Sequence, residues 1–342
     1  MIVMKQILLC VLLISTTATF THAQDTTAAS STYENGKAFL RKGDLDNAIM
    51  LFTRASQQQP NNVNILKDLT YAYYMRKDYR NGLETGKKLI ERPDADDDCY
   101  QLLGLCYKAT AAYSDCEKLY KKGLARFPKS GILYSETGDL LAVQHKLNDA
   151  IKYWEKGIEI DPNNGNNYLN AAHYYDQQGN LLWAVLYGEI FINIESLTDR
   201  TASTKVMLAD DYKQLFSSPA LLNGYVKQGT PFTRAIAGTF ATYSNLANDG
   251  VTPDALNKIR TKFTQDWTAQ YAKQYPFRLF DHFQQLVQQN TFEAYNQWIF
   301  NSATNESAYN TWVSAHTDSN SEFVKLQRSR VFKIPAGQYY AH

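Results

Sequence analysis

GKAFLRKGDLDNAIMLFTRASQQQP, residues 36–60, decides the fold. It reads as two amphipathic helices joined at Gly43 and closed by a proline. Gly36 and Ala48 stand where a solitary helix would gain from bulkier side chains. Laid out with a period of 34, Gly36 aligns with Thr70, Gly104, Gly138 and Ala172, and Ala48 with Gly82, Cys116, Ala150 and Ala184. Phe39 falls on Tyr73, Tyr107, Leu141 and Tyr175, and Phe52 on Gly86, Tyr120, Trp154 and Gly188. Pro60 falls on Asp94, Pro128, Pro162 and Ser196. Five copies keep register without insertion from about residue 29 to 198.

Each copy predicts a helix pair. Small residues at the eighth and twentieth positions let the two axes approach at the close end of the usual separation of about 8–10 Å. An aromatic at the eleventh position fills the space beside the crossing, and the proline stops the second helix. Gly43 and Gly179 end first helices as a C′ residue does. The second copy, with Gly82, Gly86 and an early Pro93, and the fifth, without a closing proline, depart from this pattern.

The period and the small/aromatic/proline signature resemble the tetratricopeptide repeat. The resemblance implies an all-α, right-handed solenoid whose first helices line a concave groove. It places Tyr33, Lys37, Leu40 and Arg41 of the first repeat on that groove, with Asn64, Lys67, Tyr71, Tyr74 and Met75 of the second. Asp98, Gln101 and Lys108 follow from the third repeat, Ser135 and Asp139 from the fourth, and Asn166, His173, Asp176 and Gln177 from the fifth. Lys37, Arg41 and Lys67 beside Tyr33, Tyr71 and Tyr74 would suit an extended peptide bearing carboxylates. The subclass that clamps chaperone C-termini places asparagines where Lys37 and Tyr71 stand here, so that activity is not implied.

Beyond Asp199 the signature fails. Residues 202–216 still read helical and would cap the open end of the solenoid, giving a capping segment 199–216. A helical, aromatic-rich C-terminal domain is expected over 217–342, with helices at 233–248, 252–274, 276–289, 291–301, 306–315 and 320–331. The motif Ala294-Tyr-Asn-Gln-Trp298 recurs as Ala308-Tyr-Asn-Thr-Trp312, with Phe323 in the same phase. Trp267, Tyr295, Trp298, Tyr309 and Trp312 form either an aromatic core or, as the alternative, a cleft for a glycan or peptide. The cations Lys325, Arg328, Arg330 and Lys333, followed by an aromatic tail, read as a segment that docks back on its own domain.

The chain opens with one early cation, Lys5, an apolar run from Ile7 to Ile14 and the exit Thr21-His22-Ala23, the layout of a cleaved leader over 1–23. A short segment, 24–28, precedes the repeats. Export to the periplasm, the outer membrane or beyond is therefore expected. Without Lys5, 34 cations balance 34 carboxylates, which disfavours nucleic acid as a partner. No stretch after residue 23 is apolar enough to span a bilayer.

Chemistry is not signalled. The histidines are scattered, and no nucleophile, phosphate-loop or zinc motif occurs. Asp281 and His282 are adjacent and point about 100° apart on a helix. Asp94–Asp98 lacks the glycine and glutamate of a calcium loop and reads as an acidic helix start. Cys99, Cys106 and Cys116 read as buried thiols. The sequence calls for no metal and no cofactor. It describes a non-catalytic, exported scaffold that holds a protein or peptide, within a cell-envelope assembly.

Overall fold

The computed structural model describes residues 31–340, and among them every regular element is helical. The leader and the segment 24–28 lie outside the described residues. The chain divides into two compact units, one up to Pro128 and the other from Lys129.

Unit 1 holds three helix pairs: α1 (residues 31–41) with α2 (Leu45–Gln58), α3 (Val63–Met75) with α4 (Tyr79–Ile90), and α5 (Asp97–Ala109) with α6 (Tyr113–Arg126). Unit 2 opens with α7 (Gly131–Val143) paired to α8 (Leu147–Ile160), and α9 (Gly165–Gln177) paired to α10 (Leu181–Ile194). The five turns between partner helices are alike. Residues 43, 77, 111, 145 and 179 all have φ between 54° and 75°, although only the first and last are glycine. In each turn the next residue donates its N–H five residues back, as Asp44 does to Phe39 O and Asn180 to Tyr175 O. This is the Schellman closure of a helix C-terminus.

The small residue at the eighth position serves the aromatic of its own second helix. A Cβ on Gly36 would lie 2.6 Å from the Phe52 ring, and one on Gly104 or Gly138 would overlap Tyr120 or Trp154. In the second and fifth repeats the exchange runs the other way. There the eighth position carries Thr70 or Ala172, and the ring is replaced by Gly86 or Gly188. Leu103 packs over Gly86, and Leu208 and Met207 over Gly188. The glycines that replace the ring are thus covered by side chains of the following helix, as close packing requires. The ring that answers the small residue is therefore the one on the second helix, rather than the eleventh-position aromatic.

Helix α11 (Asp199–Ser217) begins 34 residues after α9, in the place of a sixth first helix. It packs against α10 and is itself covered by later helices of unit 2. Then come α12 (Pro219–Gln228), α13 (Pro231–Thr242), a 3-10 turn (Ser244–Ala247), α14 (Pro253–Gln270), α15 (Arg278–Gln288), α16 (Phe292–Phe300), α17 (Glu306–Ala315) and α18 (Thr317–Ser329). Three of these start alike: Ser218, Thr230 and Thr252 cap, and Pro219, Pro231 and Pro253 follow at the first helical position. Helix α12 lies between two proline punctuation marks and was not expected.

The helices after 217 do not form a core of their own. One hydrophobic cluster runs from Ala150 through α10 to Phe332 and Ile334. Its centre is α10, whose sequence LLWAVLYGEIFINI is apolar nearly all round and is buried from Leu181 to Asn193. The repeat signature ends near 198, while the packing boundary falls at Pro128. The tail docks back as expected: Asn163 exchanges two hydrogen bonds with the Ile334 backbone, 2.9 and 3.2 Å, and Tyr340 stacks on Phe232.

Candidate functional site

In unit 1 the first helices α1, α3 and α5 share one face. The Tyr33 hydroxyl donates to Asp68 on α3 at 2.8 Å. Lys67, also on α3, bonds both Asp96 and Asp98 at the start of α5. Burial and Asp68 together push the Tyr33 hydroxyl pKa upward. Burial alone would lower the pKa of Lys67, but its two carboxylate partners outweigh that and raise it. Asp96 caps α5, with Asp97 and Asp98 in its first turn, which is the acidic helix start expected for this stretch.

The pairing changes the chemistry of the face. Lys37 pairs with Glu34 at 2.9 Å and lies 5.1 Å from the Tyr33 ring centre. Two of the cations expected to receive a peptide carboxylate are therefore neutralised within the chain. Arg41 and Asn64 are exposed, and Lys108 is half-buried. Beyond Asn64, what α3 exposes is Tyr71, at 37%, and Met75, at 46%. Tyr71 stacks on Tyr74, which leans on Tyr79, so the rings are held in place.

His173 belongs to unit 2 and is not gathered with these residues. Its neighbours on the fifth repeat meet α11: Asn166 accepts from Arg200 at 2.8 Å, and Asp176 shares a hydrogen bond with Asp211. Burial, then repulsion from Asp176, pushes the Asp211 carboxyl up to about 8. Asp139 accepts from Asn170 at 2.6 Å and from Trp154 at 3.1 Å, a packing role.

The alternative aromatic site is core. Trp267 and Tyr295 are 1% exposed and Trp298 is 8% exposed. Tyr309 and Trp312 are half-buried on α17, where Trp312 bonds Glu293 and stacks on His316. Trp267, Tyr295 and Trp298 belong to the hydrophobic cluster, and Tyr309 and Trp312 pack against it. His282 is buried beside Arg330, and burial plus that cation hold its pKa well below the usual value. It has no acid/base partner in Asp281.

A buried polar network escaped the sequence reading. Glu189 on α10 and Arg260 on α14 form an ion pair with both side chains fully buried. Tyr212 and Tyr295 donate to Glu189, and Asn193 donates to Tyr295 at 2.7 Å. Five aromatic rings, among them Tyr212, Phe283 and Phe300, lie 4.8–5.6 Å from the guanidinium carbon. Burial would lower the Arg260 pKa, but Glu189 and the two tyrosines outweigh that and raise it. The one available signal was a lone glutamate in an otherwise apolar helix. Cys99, Cys106 and Cys116 are buried thiols in no disulfide, and burial pushes the first two up to about 12 and 11.

These helix pairs have the period and pairing of tetratricopeptide-type repeats. No protein-family model matches the chain. It is 26% identical over 169 residues to the TPR repeat-containing protein MJ1428 of Methanocaldococcus jannaschii, covering 44% of this chain. The match spans only 29% of that relative's length. Among solved structures, the TPR protein TTC0263 of Thermus thermophilus is 18% identical, with 54% of this chain and 98% of that one covered and a TM-score of 0.45. PilF of Pseudomonas aeruginosa is 14% identical over 60% of this chain and 99% of that one, with a TM-score of 0.44. Among the described residues no helix is long and apolar enough to cross a membrane.

Proposed function

We propose that this chain is a non-catalytic, exported scaffold that holds an extended peptide on the α1–α3–α5 face of unit 1. One observation carries the reading. Lys37 and Lys67 of that face are tied to carboxylates of the chain itself, while Tyr71 and Met75 remain exposed beside fixed rings. Such a surface favours a segment with aromatic or aliphatic side chains over the acidic one that the cations imply on paper. Rigid aromatic anchors supply most of the binding energy in interfaces of this kind. The leader-like N-terminus supports export, and a place in an envelope assembly follows from export joined to a binding fold.

Capture of partners from envelope extracts tests this. Tyr71→Ala/Tyr74→Ala/Met75→Ala should cut capture of a specific partner about tenfold or more, as removal of anchors does. Lys37→Ala/Lys67→Ala should change it less than about threefold, as rim charges do. Equal capture by all three proteins overturns the face, and the opposite ranking restores the acidic peptide. N-terminal sequencing of the envelope-fraction protein tests the leader: a start at Gln24 supports it, and an intact Met1 refutes it.

A further inference from the structure

The tail that follows α18 is fastened at its root by an arginine on a histidine. Arg330 is the first residue beyond the helix, and its Nη1 lies within hydrogen-bond reach of both ring nitrogens of His282 on α15. Its Nη2 donates to Asn193 on α10 at 2.9 Å. The His282 side chain is buried, with Tyr295 of α16 edge-on at 5.6 Å and Phe332 of the tail edge-on at 5.7 Å. Phe332 in turn packs beside two guanidiniums, 4.8 Å from Arg278 and 5.2 Å from Arg330.

This contact carries a chemical condition. A guanidinium only donates, so the imidazole must offer it a bare nitrogen. Neutral histidine has one and the imidazolium has none. A proton on His282 would replace the acceptor with a third cation at a buried place. Arg330 and Arg278 both oppose that proton, and only the Gln285 side chain hydrogen-bonds the ring in the sense that favours it. Asp281, next in the chain, acts on Arg278. Glu189 of α10, behind Tyr295, is tied to Arg260 of α14, and Lys333 of the tail is exposed. Among the described residues no carboxylate bonds the ring.

We propose that His282 is an acid-sensitive latch for the C-terminal tail: neutral, it accepts from Arg330 and holds the tail down, and protonated, it repels Arg330 and frees residues 330–340. The other tail contacts do not titrate near neutral pH. Asn163 bonds the Ile334 backbone, Gln338 Oε1 accepts from Arg278 N–H at 2.6 Å, and Tyr340 stacks on Phe232 at 4.0 Å. Beneath the tail, Tyr168, Trp183, Tyr187 and Phe277 line a narrow gap that Ile334 and Tyr340 close. Release would bare these rings, the kind of surface that marks an interaction site. The latch is independent of the peptide face in unit 1.

The sign follows from linkage. With the tail docked, burial and then Arg330 hold the His282 pKa well below its ordinary value of 6.5. With the tail released, the ring is free of Arg330 and titrates near that ordinary value. Docking is therefore at full strength above about pH 6.5 and weakens about tenfold for each unit below it.

Hydrogen-exchange mass spectrometry on the full chain at pH 7.5 and 5.0, corrected for the intrinsic pH dependence of exchange, tests this. Protection over 331–340 should fall about 30-fold at the lower pH. His282→Gln keeps an acceptor for Arg330 and takes no proton, so its tail protection should differ less than about threefold between the two. Arg330→Gln gives the imidazolium an acceptor in place of a cation, and should shrink the fall below about tenfold. Equal tail protection of the parent at both pH values would overturn the proposal. So would a fall of the parent's size in either variant that keeps the parent's circular dichroism spectrum at pH 7.5.

Discussion

The two units hold themselves together over different distances along the chain. In unit 1 the polar contacts between elements join residues about one repeat apart: Tyr33 with Asp68, Lys67 with Asp96, Arg92 with Asn61, Arg126 with Pro93. In unit 2 they reach much farther. Arg260 meets Glu189 across 71 positions, Tyr295 meets Glu189 across 106, Arg330 meets Asn193 across 137, and Ile334 meets Asn163 across 171. A unit held by nearest-neighbour contacts has nearly additive stability. A unit closed by long contacts through one buried network stands or falls together. The same helix-pair geometry therefore serves as an array in one place and as a frame for a closed core in the other.

The sharpest way to break the comparison is to cut the buried pair. Arg260→Met leaves Glu189 fully buried and without its cation, so it should cost unit 2 about 3–5 kcal/mol. Glu189→Gln/Arg260→Met should recover most of that loss, because no charge is then stranded. Thermal and urea unfolding would show it, and recovery of nothing would mean that the pair is not what closes the core.

Next in size is the volume exchange within repeats. Gly104→Thr alone should cost about 1–3 kcal/mol by driving a side chain into Tyr120. Combined with Tyr120→Gly it reproduces the Thr70/Gly86 arrangement of the second repeat. The double variant should then be less destabilised than the sum of the singles by about 0.5–3 kcal/mol. Strict additivity would show that the two positions do not exchange volume.

The third experiment sets a pH dependence against unit 1. Asp211 has a raised folded pKa of about 8, so between the unfolded value and 8 the folded state binds more protons than the unfolded one. Its contribution to stability is fully present below the unfolded pKa and is lost as pH rises through 8. Asp211→Asn should remove that decline and leave the protein more stable at pH 8 than the parent. A parent protein whose stability rises steadily from pH 5 to 8, unaltered by Asp211→Asn, would contradict this.

The smallest effect lies in the turns. Ala111→Gly and Lys77→Gly should each stabilise by about 0.5–1 kcal/mol, since both residues now hold a left-handed conformation that suits glycine. A loss of stability in both would mean that their side chains contribute more than the backbone strain costs.

What the sequence disclosed followed from what repeats in it. The helix pairs, the start of the capping helix and the buried thiols were legible because each depends on spacing within about 34 residues. The left-handed turns were legible only at Gly43 and Gly179, since Lys77, Ala111 and His145 adopt the same conformation without advertising it. The pairing of Lys67 with Asp96 and Asp98 was hidden because charges of both signs look alike on a helix whose neighbour is unknown. Glu189 and Arg260, His282 and Arg330, and Asp176 and Asp211 are brought together only by the closed packing of unit 2, and no period marks them.

The docked tail has a consequence for synthesis. Arg330, Phe332, Ile334 and Tyr340 complete the core that α7–α10 begin, yet about 200 residues separate the two ends of that core. At about 5–20 residues per second, a nascent chain spends roughly 7–30 s with α10 made and its last partners still missing. Unit 1, whose partners arrive within one repeat, can close pair by pair as it leaves the ribosome. During that interval α10 is the most apolar surface in the chain awaiting cover, and it is where a chaperone would have to stand guard.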